Sequence, residues 1–236
     1  MHIPDGYLGP PTYGGLWAAT AGIWYYASLK VRRTLRASQV PILALGAALS
    51  FVIMMFNVPI AGGTTGHATG TALLAITLGP WAAVIAVSIA IAVQAVLFGD
   101  GGITALGANC FNMAFVDAMV SYAVYRLITG PVRDPETPGP GKNRKNVLAS
   151  ALAGYAGINA AALLASVELG IQPILHRGAD GRPLYCPFPL KVTVPAMMIG
   201  HLAVFGPLEA AFTALAVAYL GRAYPDLLRP GAGEKK

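Results

Sequence analysis

The 236-residue chain is 56% hydrophobic and 11% charged, whereas a soluble domain carries about a quarter charged residues. This composition excludes an ordinary soluble globular protein and predicts an integral membrane protein. The formal net charge is +6, but the basic residues lie between apolar runs and form no aromatic-lined basic face. We therefore expect a surrounding lipid bilayer and no nucleic-acid partner.

Apolar stretches that could span a membrane follow one another along the whole chain, and each full span needs about 20 residues. In chain order they are 14–29, 39–56, 67–78, 81–98, 106–128, 147–169 and 194–220. The third stretch is short and ends at Gly79-Pro80, which favours a half-helix or a re-entrant segment. The pattern predicts an all-α bundle of about seven transmembrane helices that forms a single domain over residues 1–236.

The connections between these stretches differ in charge. Thirteen of the 16 Lys and Arg residues fall on one side of the predicted bundle. The positive-inside rule then places segment 1–13 outside the cell and tail 221–236 in the cytoplasm. Segment 131–146 is rich in Pro, Gly and charge, and is predicted to be a flexible cytoplasmic loop. It contains Gly141-Lys142 without a following Ser or Thr, so we predict no phosphate-binding loop and no ATPase machinery in this chain.

Four segments are predicted to lie on the outer side: 1–13, 57–66, 99–107 and 170–190. Two of them are rich in Gly and Thr. Irregular backbone at a membrane boundary is costly unless it is packed or surrounds a site. We therefore expect these segments to fold over a bound ligand.

The histidine at position 2 suggests what that ligand is. The α-amine of Met1, the amide nitrogen of His2 and the His2 imidazole can chelate one metal ion through fused rings, and His67 can supply a fourth nitrogen. Planar nitrogen coordination suits Ni(II) or Cu(II) and can serve Co(II). The hypothesis requires that Met1 be retained. We expect retention because the bulky His2 should block methionine removal and no secretory signal is visible; a Pro4-Asp5-Gly6 turn would fold the terminus back.

Four blocks of sequence resemble one transporter family. They are Met-His-Ile-Pro-Asp-Gly-Tyr-Leu at 1–8, Gly-Gly-Thr-Thr-Gly-His-Ala at 62–68, the glycine-rich stretch 98–109, and Pro-Ala-Met-Met-Ile-Gly-His at 195–201. In order and content these blocks resemble the CbiM/NikM family, the substrate-specific subunits of nickel and cobalt energy-coupling-factor transporters.

The resemblance implies a seven-helix transport subunit, not an enzyme, in the bacterial cytoplasmic (inner) membrane. Its metal ligands would be Met1, His2 and His67, and no resident cofactor is implied. Its partners would be a transmembrane coupling subunit, two cytoplasmic ATP-binding cassette ATPases and a small accessory membrane subunit. The sequence around Pro4-Asp5 resembles the nickel branch, so we expect Ni(II). The alternative is a Co(II)-specific subunit that supplies cobalamin synthesis.

Neighbouring polar residues could support the metal ligands. We expect Asp5, Thr64, Thr65 and Asn109 to orient the imidazoles or to close the loops over the ion. The alternative for each is ordinary turn and cap chemistry.

Asp117, His201 and Glu209 are ionisable residues within predicted spans, where such groups are functional candidates. One reading is an autonomous proton-coupled secondary transporter; the reading we favour is an internal hydrogen-bond network. An enzyme or redox protein is a third class, but the chain has no HExxH motif. We also expect His176 to be solvated.

The two cysteines, Cys110 and Cys186, form no CxxC pair. We expect both to be unpaired. A disulfide between them would require that both lie on an oxidising side of the membrane.

Overall fold

A computed structural model describes residues 1–35, 37–60, 64–130 and 144–224. Most of the predicted cytoplasmic loop, 131–143, and most of the predicted tail, 225–236, lie outside these residues. So do Gly62 and Gly63 of the second sequence block.

The first part of the chain forms four helices and one short hairpin. The helices are α1 (Pro10–Thr34), α2 (Val40–Met54), α3 (Thr71–Leu78) and α4 (Pro80–Val93), and a π-helical turn, Gln94–Phe98, extends α4. Helices α1, α2 and α4 have a proline in their first turn, where the missing N–H costs nothing. Between α2 and α3, strand β1 (Val58–Ile60) pairs antiparallel with β2 (Thr64–Gly66).

The second part is helical apart from its connections. The helices are α5 (Leu106–Asn109), α6 (Asp117–Thr129), α7 (Arg144–Gly170), α8 (Gln172–Leu175), α9 (Leu190–Gly200) and α10 (Gly206–Ala223). The π-helical segments Cys110–Val116 and His201–Phe205 make α5–α6 and α9–α10 into two continuous rods. π-Helical turns of this kind often lie near functional sites.

Each predicted apolar stretch contains a helix, so the expectation of a mainly helical fold is confirmed. Among the described residues, three helices are long and apolar enough to cross a membrane: Pro80–Phe98, Arg144–Leu175 and Leu190–Ala223. Helix α3 has 8 residues and rises only about 12 Å at about 1.5 Å per residue, which agrees with a half-helix. It begins at Thr71, not at His67 as predicted. The count of seven spans and their orientation stay predictions.

Helix α7 lies at the centre of the helical packing, against α6, α9 and α10. Its buried face is formed by small residues: Ala149, Ala153, Gly157, Ala161 and Ala165. At Gly157 a β-carbon would lie 2.0 Å from the Ser121 hydroxyl of α6. Small residues therefore let the helices approach closely, as is common in membranes.

The structure tests two smaller expectations. Cys110 and Cys186 are both buried and free, which confirms that they are unpaired. The prediction that His176 is solvated is wrong, because its ring packs against Gly9 and forms an edge contact with Tyr185 at 5.2 Å. The polar character of loop 170–190 gave no signal that His176 would pack against Gly9, which is far away in the sequence.

Helix α1 packs against α5 through Gly107, and this contact yields a stability prediction. A β-carbon at Gly107 would lie 2.7 Å from the Trp17 Cα, and the Gly107 carbonyl accepts a hydrogen bond from the Thr20 hydroxyl at 2.8 Å. We expect Gly107→Ala to lower the free energy of unfolding by about 1–3 kcal/mol through overpacking, measured by thermal unfolding in detergent. Gly14→Ala is the control, because Gly14 lies in α1 with open space around it. Equal losses of unfolding free energy in both variants would contradict the close-packing argument.

Candidate metal centre

The first three residues of the chain, together with Leu8 and Gly9, lie inside the protein, while the turn at Asp5 and Gly6 is exposed. Met1, Ile3 and Leu8 are 1%, 0% and 2% exposed, and His2 is 3% exposed. Chain termini usually fray unless specific contacts hold them. The burial of this terminus therefore requires partners for its backbone.

Those partners begin at Ile3. Its N–H donates to Asn109 Oδ1 at 2.8 Å, and its carbonyl accepts from Asn109 Nδ2 at 3.0 Å. The same carbonyl also accepts from the Gly102 N–H at 3.0 Å. A side-chain amide thus pairs with Ile3 as a neighbouring strand would, and this pairing fixes where Met1 and His2 lie.

Asp5 anchors the next turn of the segment. Its carboxylate accepts hydrogen bonds from the N–H groups of Thr104 at 2.8 Å and Ile103 at 3.1 Å, and from the Thr104 hydroxyl. Partial burial raises the pKa of Asp5, but these hydrogen bonds together outweigh it, so the pKa lies below its usual value. Gly6 completes the turn with φ +81°, a conformation that favours glycine.

Two further anchors join the segment to the chain after α7. The Tyr7 carbonyl accepts from the Cys186 N–H at 3.1 Å, and the Gly9 N–H donates to Gln172 Oε1 at 3.0 Å. Sequence reasoning did not single out Gln172, since nothing local distinguishes it from a surface glutamine. Segment 1–9 is therefore held by loops that are distant from each other in sequence.

The Met1 amine lies against strand β2. It donates to the Thr65 carbonyl and to the Thr65 hydroxyl, the latter at 3.3 Å, while the Thr64 hydroxyl donates to the His2 carbonyl at 3.2 Å. Burial lowers the pKa of the amine to about 4, although the nearby Asp100 carboxylate raises it in part. At neutral pH the amine is uncharged and keeps a lone pair that can bind a metal.

The two expected imidazoles meet at this point. The rings of His2 and His67 stack with centroids 4.7 Å apart and planes inclined by 24°. His67 Nδ1 lies 3.0 Å from the Ala68 carbonyl. Because a carbonyl only accepts, Nδ1 carries the proton and Nε2 has the free lone pair.

The ring nitrogens that could bind a metal have no hydrogen-bond partners. His67 Nε2 and both ring nitrogens of His2 are buried without a hydrogen-bond partner. Burial, reinforced by the adjacent amine, lowers the pKa of His2 to about 3, so its imidazole is neutral. Buried acceptors without partners are costly and call for an explanation, which a bound cation would supply.

Asp100 is a member of the site that sequence reasoning missed. Its Oδ1 lies 3.4 Å from His2 Nδ1, and Asn57 Nδ2 donates to both of its carboxylate oxygens at 3.1 Å. Burial raises the pKa of Asp100, while the Asn57 bond and the amine oppose this shift. The sequence signal that could have identified Asp100 was a single carboxylate within a glycine-rich loop.

The site is built from nitrogen donors of the terminus more than from side chains. Across the described parts of the chain, no group of three or more His, Cys, Asp or Glu side chains is arranged to hold a metal. The donors brought together are the Met1 amine, the His2 amide and imidazole, and His67. Nitrogen donors of this kind suit Ni(II), Cu(II) and Co(II) far better than Ca(II) or Mg(II).

The three ionisable residues of the predicted spans are not part of this donor set. Asp117, His201 and Glu209 are 0% exposed. His201 Nδ1 contacts the Met197 carbonyl of its own helix at 2.8 Å, and the two carboxylates accept hydrogen bonds from Thr69. This arrangement favours an internal hydrogen-bond network over the ion pathway of a secondary transporter.

Comparison with known proteins places this geometry in context. The chain is 53% identical over 230 residues to a fused nickel transport protein, NikMN, of Rhodobacter capsulatus, covering 98% of this chain and 64% of the relative. It is 48% identical over 230 residues to a probable fused nickel transport protein, LarMN, of Lactiplantibacillus plantarum, covering 97% of this chain and 66% of the relative. The chain therefore spans just under two thirds of the length of these two relatives.

A solved structure and a family model agree with these relatives. The crystal structure of a truncated transition metal transporter superposes with a TM-score of 0.86 at 51% identity, covering 93% of this chain and 98% of the other. The model of CbiM, described as the cobalt uptake substrate-specific transmembrane region, matches residues 2–227. Since this match includes nearly the whole chain, the protein belongs to the CbiM family.

Proposed function

We propose that this protein is the substrate-binding membrane subunit of an ATP-driven transition-metal importer. It captures Ni(II) at the outer face through the Met1 amine, the His2 amide and imidazole nitrogens, and His67 Nε2. One observation carries the proposal: the terminal amine is buried beside imidazole nitrogens that have no hydrogen-bond partner.

The protonation states support capture of a divalent cation. The amine and the His2 imidazole are already neutral at pH 7 because burial lowers their pKa values, so binding need not displace protons from them. The His2 amide must lose its proton when it coordinates, as metal-bound donors do. The anionic amide and the adjacent Asp100 then offset part of the charge of the ion.

Nickel is the favoured substrate. Two relatives that resemble this chain over nearly its full length are described as nickel transport proteins, and planar nitrogen coordination stabilises Ni(II) more than Co(II). Co(II) is the second candidate, because the matching family model is described by cobalt uptake. Cu(II) would bind such donors more tightly still, so selectivity also depends on metal supply.

The remaining parts of the proposal concern the assembly. The subunit crosses the bacterial cytoplasmic membrane several times, with its terminus outside, and works with a transmembrane coupling subunit, two cytoplasmic ATP-binding cassette ATPases and a small accessory membrane subunit. The charge asymmetry of the connections supports this orientation. The family match supports a transport complex.

Metal titration of the purified protein tests the donor set. We expect one extra residue before Met1, or His67→Ala, to weaken nickel binding by at least about a hundredfold, because each change removes a direct nitrogen ligand. Isothermal titration with nickel and with cobalt gives the affinities, and intact mass verifies that the reference protein begins at a free Met1.

Two controls accompany this titration. One extra residue after Lys236 matches the terminal extension, and Arg182→Ala, in an exposed turn, matches the loss of a side chain outside the site. If the N-terminally extended protein binds nickel as tightly as the reference, the amine is not a ligand and the proposed site is wrong.

Asp5 provides a test of the anchoring that does not remove a ligand. We expect Asp5→Ala to weaken nickel binding about tenfold, in the range seen when groups that orient metal ligands are lost. We also expect it to lower the free energy of unfolding by only about 1 kcal/mol, because solvent screens the exposed carboxylate. The folded-state pKa is lowered, so this stability difference is present above the usual carboxyl pKa and disappears as the pH falls through the folded value. Asp180→Asn, in an exposed turn, is the control; an Asp5 variant with unchanged affinity would contradict the anchoring role.

Reconstitution distinguishes the proposal from an autonomous secondary transporter. Vesicles that contain this protein alone should show no nickel uptake when a pH gradient is imposed, because the proposed energy source is ATP hydrolysis in partner subunits. Radioactive nickel counted inside the vesicles is the measurement, with an ionophore-treated sample as the positive control. Gradient-driven uptake by the protein alone would favour the secondary-transporter alternative.

A further inference from the structure

Thr69 lies two residues after His67, at a point where three helices meet. Its N–H donates to Glu209 Oε2 of α10 at 2.8 Å, and its hydroxyl donates to Asp117 Oδ2 of α6 at 3.0 Å. Its carbonyl accepts from the Ser50 hydroxyl of α2 at 2.7 Å. Every hydrogen-bonding group of Thr69 is thus satisfied by a different helix, and the residue is 0% exposed.

The Glu209 carboxylate also contacts the residue before α3. Glu209 Oε2 also accepts from the Gly70 N–H at 3.0 Å, and the Thr69 hydroxyl accepts from the Thr71 N–H at 3.2 Å. The first N–H groups of a helix have no partner within it. Here the Gly70 N–H is held by Glu209 of α10, and the Thr71 N–H by the Thr69 hydroxyl, which itself donates to Asp117 of α6. The conformation of segment 69–71 therefore depends on α6 and α10.

One peptide unit connects this network to His67. The N–H of Thr69, held by Glu209, and the carbonyl of Ala68, which faces His67 Nδ1 at 3.0 Å, belong to the same planar peptide group. Rotation of that plane would move both groups together. The carboxylate that holds one edge of the plane therefore also sets the hydrogen bond that orients the imidazole on the other edge.

Buried carboxylates in a membrane protein are costly, and here both act on the same short segment. A generic packing role would not require two ionisable residues from separate helices to meet one threonine. Ser121 also donates to Asp117 Oδ1 at 3.0 Å, which holds this carboxylate in place. The arrangement is that of groups that orient a metal ligand from outside the coordination shell.

We infer that Asp117 and Glu209, acting through Thr69, are positioning residues that fix the orientation of the His67 imidazole where it stacks on His2. The inference rests on the proposed function, since it assigns these residues to the nickel site. A shift of α10 relative to α3 would rotate the peptide between Ala68 and Thr69 and withdraw the hydrogen bond from His67. Movement of the helices would in this way reach the bound ion.

Nickel titration of the full chain tests this inference with two readouts beside affinity: the ligand-field absorption of the saturated protein and the thermal unfolding midpoint without metal. We expect Thr69→Val and Glu209→Ala each to weaken binding about tenfold or more and to shift the absorption band, because each removes a hydrogen-bonding partner of segment 69–70. Thr69→Ser, which keeps the hydroxyl, should restore both. A role in stability alone would lower the unfolding midpoint and leave the band unchanged.

Glu168→Ala is the matched control. Glu168 is also a buried carboxylate, but its side chain pairs with Asn112 Nδ2 at 2.7 Å, so its replacement should leave affinity and absorption unchanged. If Thr69→Val does not fold, Glu209→Ala decides by the same readouts.

The outcomes separate the two proposals. A reference protein that binds neither nickel nor cobalt would overturn the proposed function and this inference with it. Tight binding by the reference protein, together with unchanged affinity and absorption in the Thr69→Val or Glu209→Ala variant, would overturn the inference alone. Equal weakening in the Glu168→Ala control would also overturn it.

Discussion

The burial of the Met1 amine is the constraint on which the metal centre depends. An ammonium group placed there would lose more by dehydration than it gains from the nearby Asp100 carboxylate, and the pKa of the amine is therefore lowered to about 4. Keeping a chain terminus in such a place requires many contacts. The pairing of Ile3 with Asn109 and the anchoring of Asp5 by loop 102–104 supply them.

The same constraint explains why the centre contains so few charged side chains. A cation bound by three or four carboxylates or thiolates would leave a large uncompensated charge when the ion departs. Neutral amine and imidazole donors avoid that cost, and the nearby Asp100 stays partly exposed, paired with Asn57. A transport subunit must release its ion as well as bind it, so neutral donors in a buried site suit this task.

The centre is also connected to the helices that carry it. The stacked imidazoles belong to segments 1–9 and 64–70, and the second segment is held by side chains from α2, α6 and α10. These contacts are hydrogen bonds with defined directions. In the proposed site, metal binding and the arrangement of the helices would therefore be linked through segment 64–70.

The sequence by itself determined the class of the protein, the intervals of its helices and the identity of the expected donors. These features are local: hydrophobic runs specify helices wherever they occur, and the nitrogens of Met1 and His2 are adjacent in the chain. The tertiary structure alone decided that His67 stacks on His2, that Asp100 and Gln172 complete the surroundings, that His176 is packed, and that Asp117 and Glu209 meet at Thr69. Each of these depends on contacts between residues far apart in the chain, whose relative positions follow from how the helices pack and are not encoded in any local pattern.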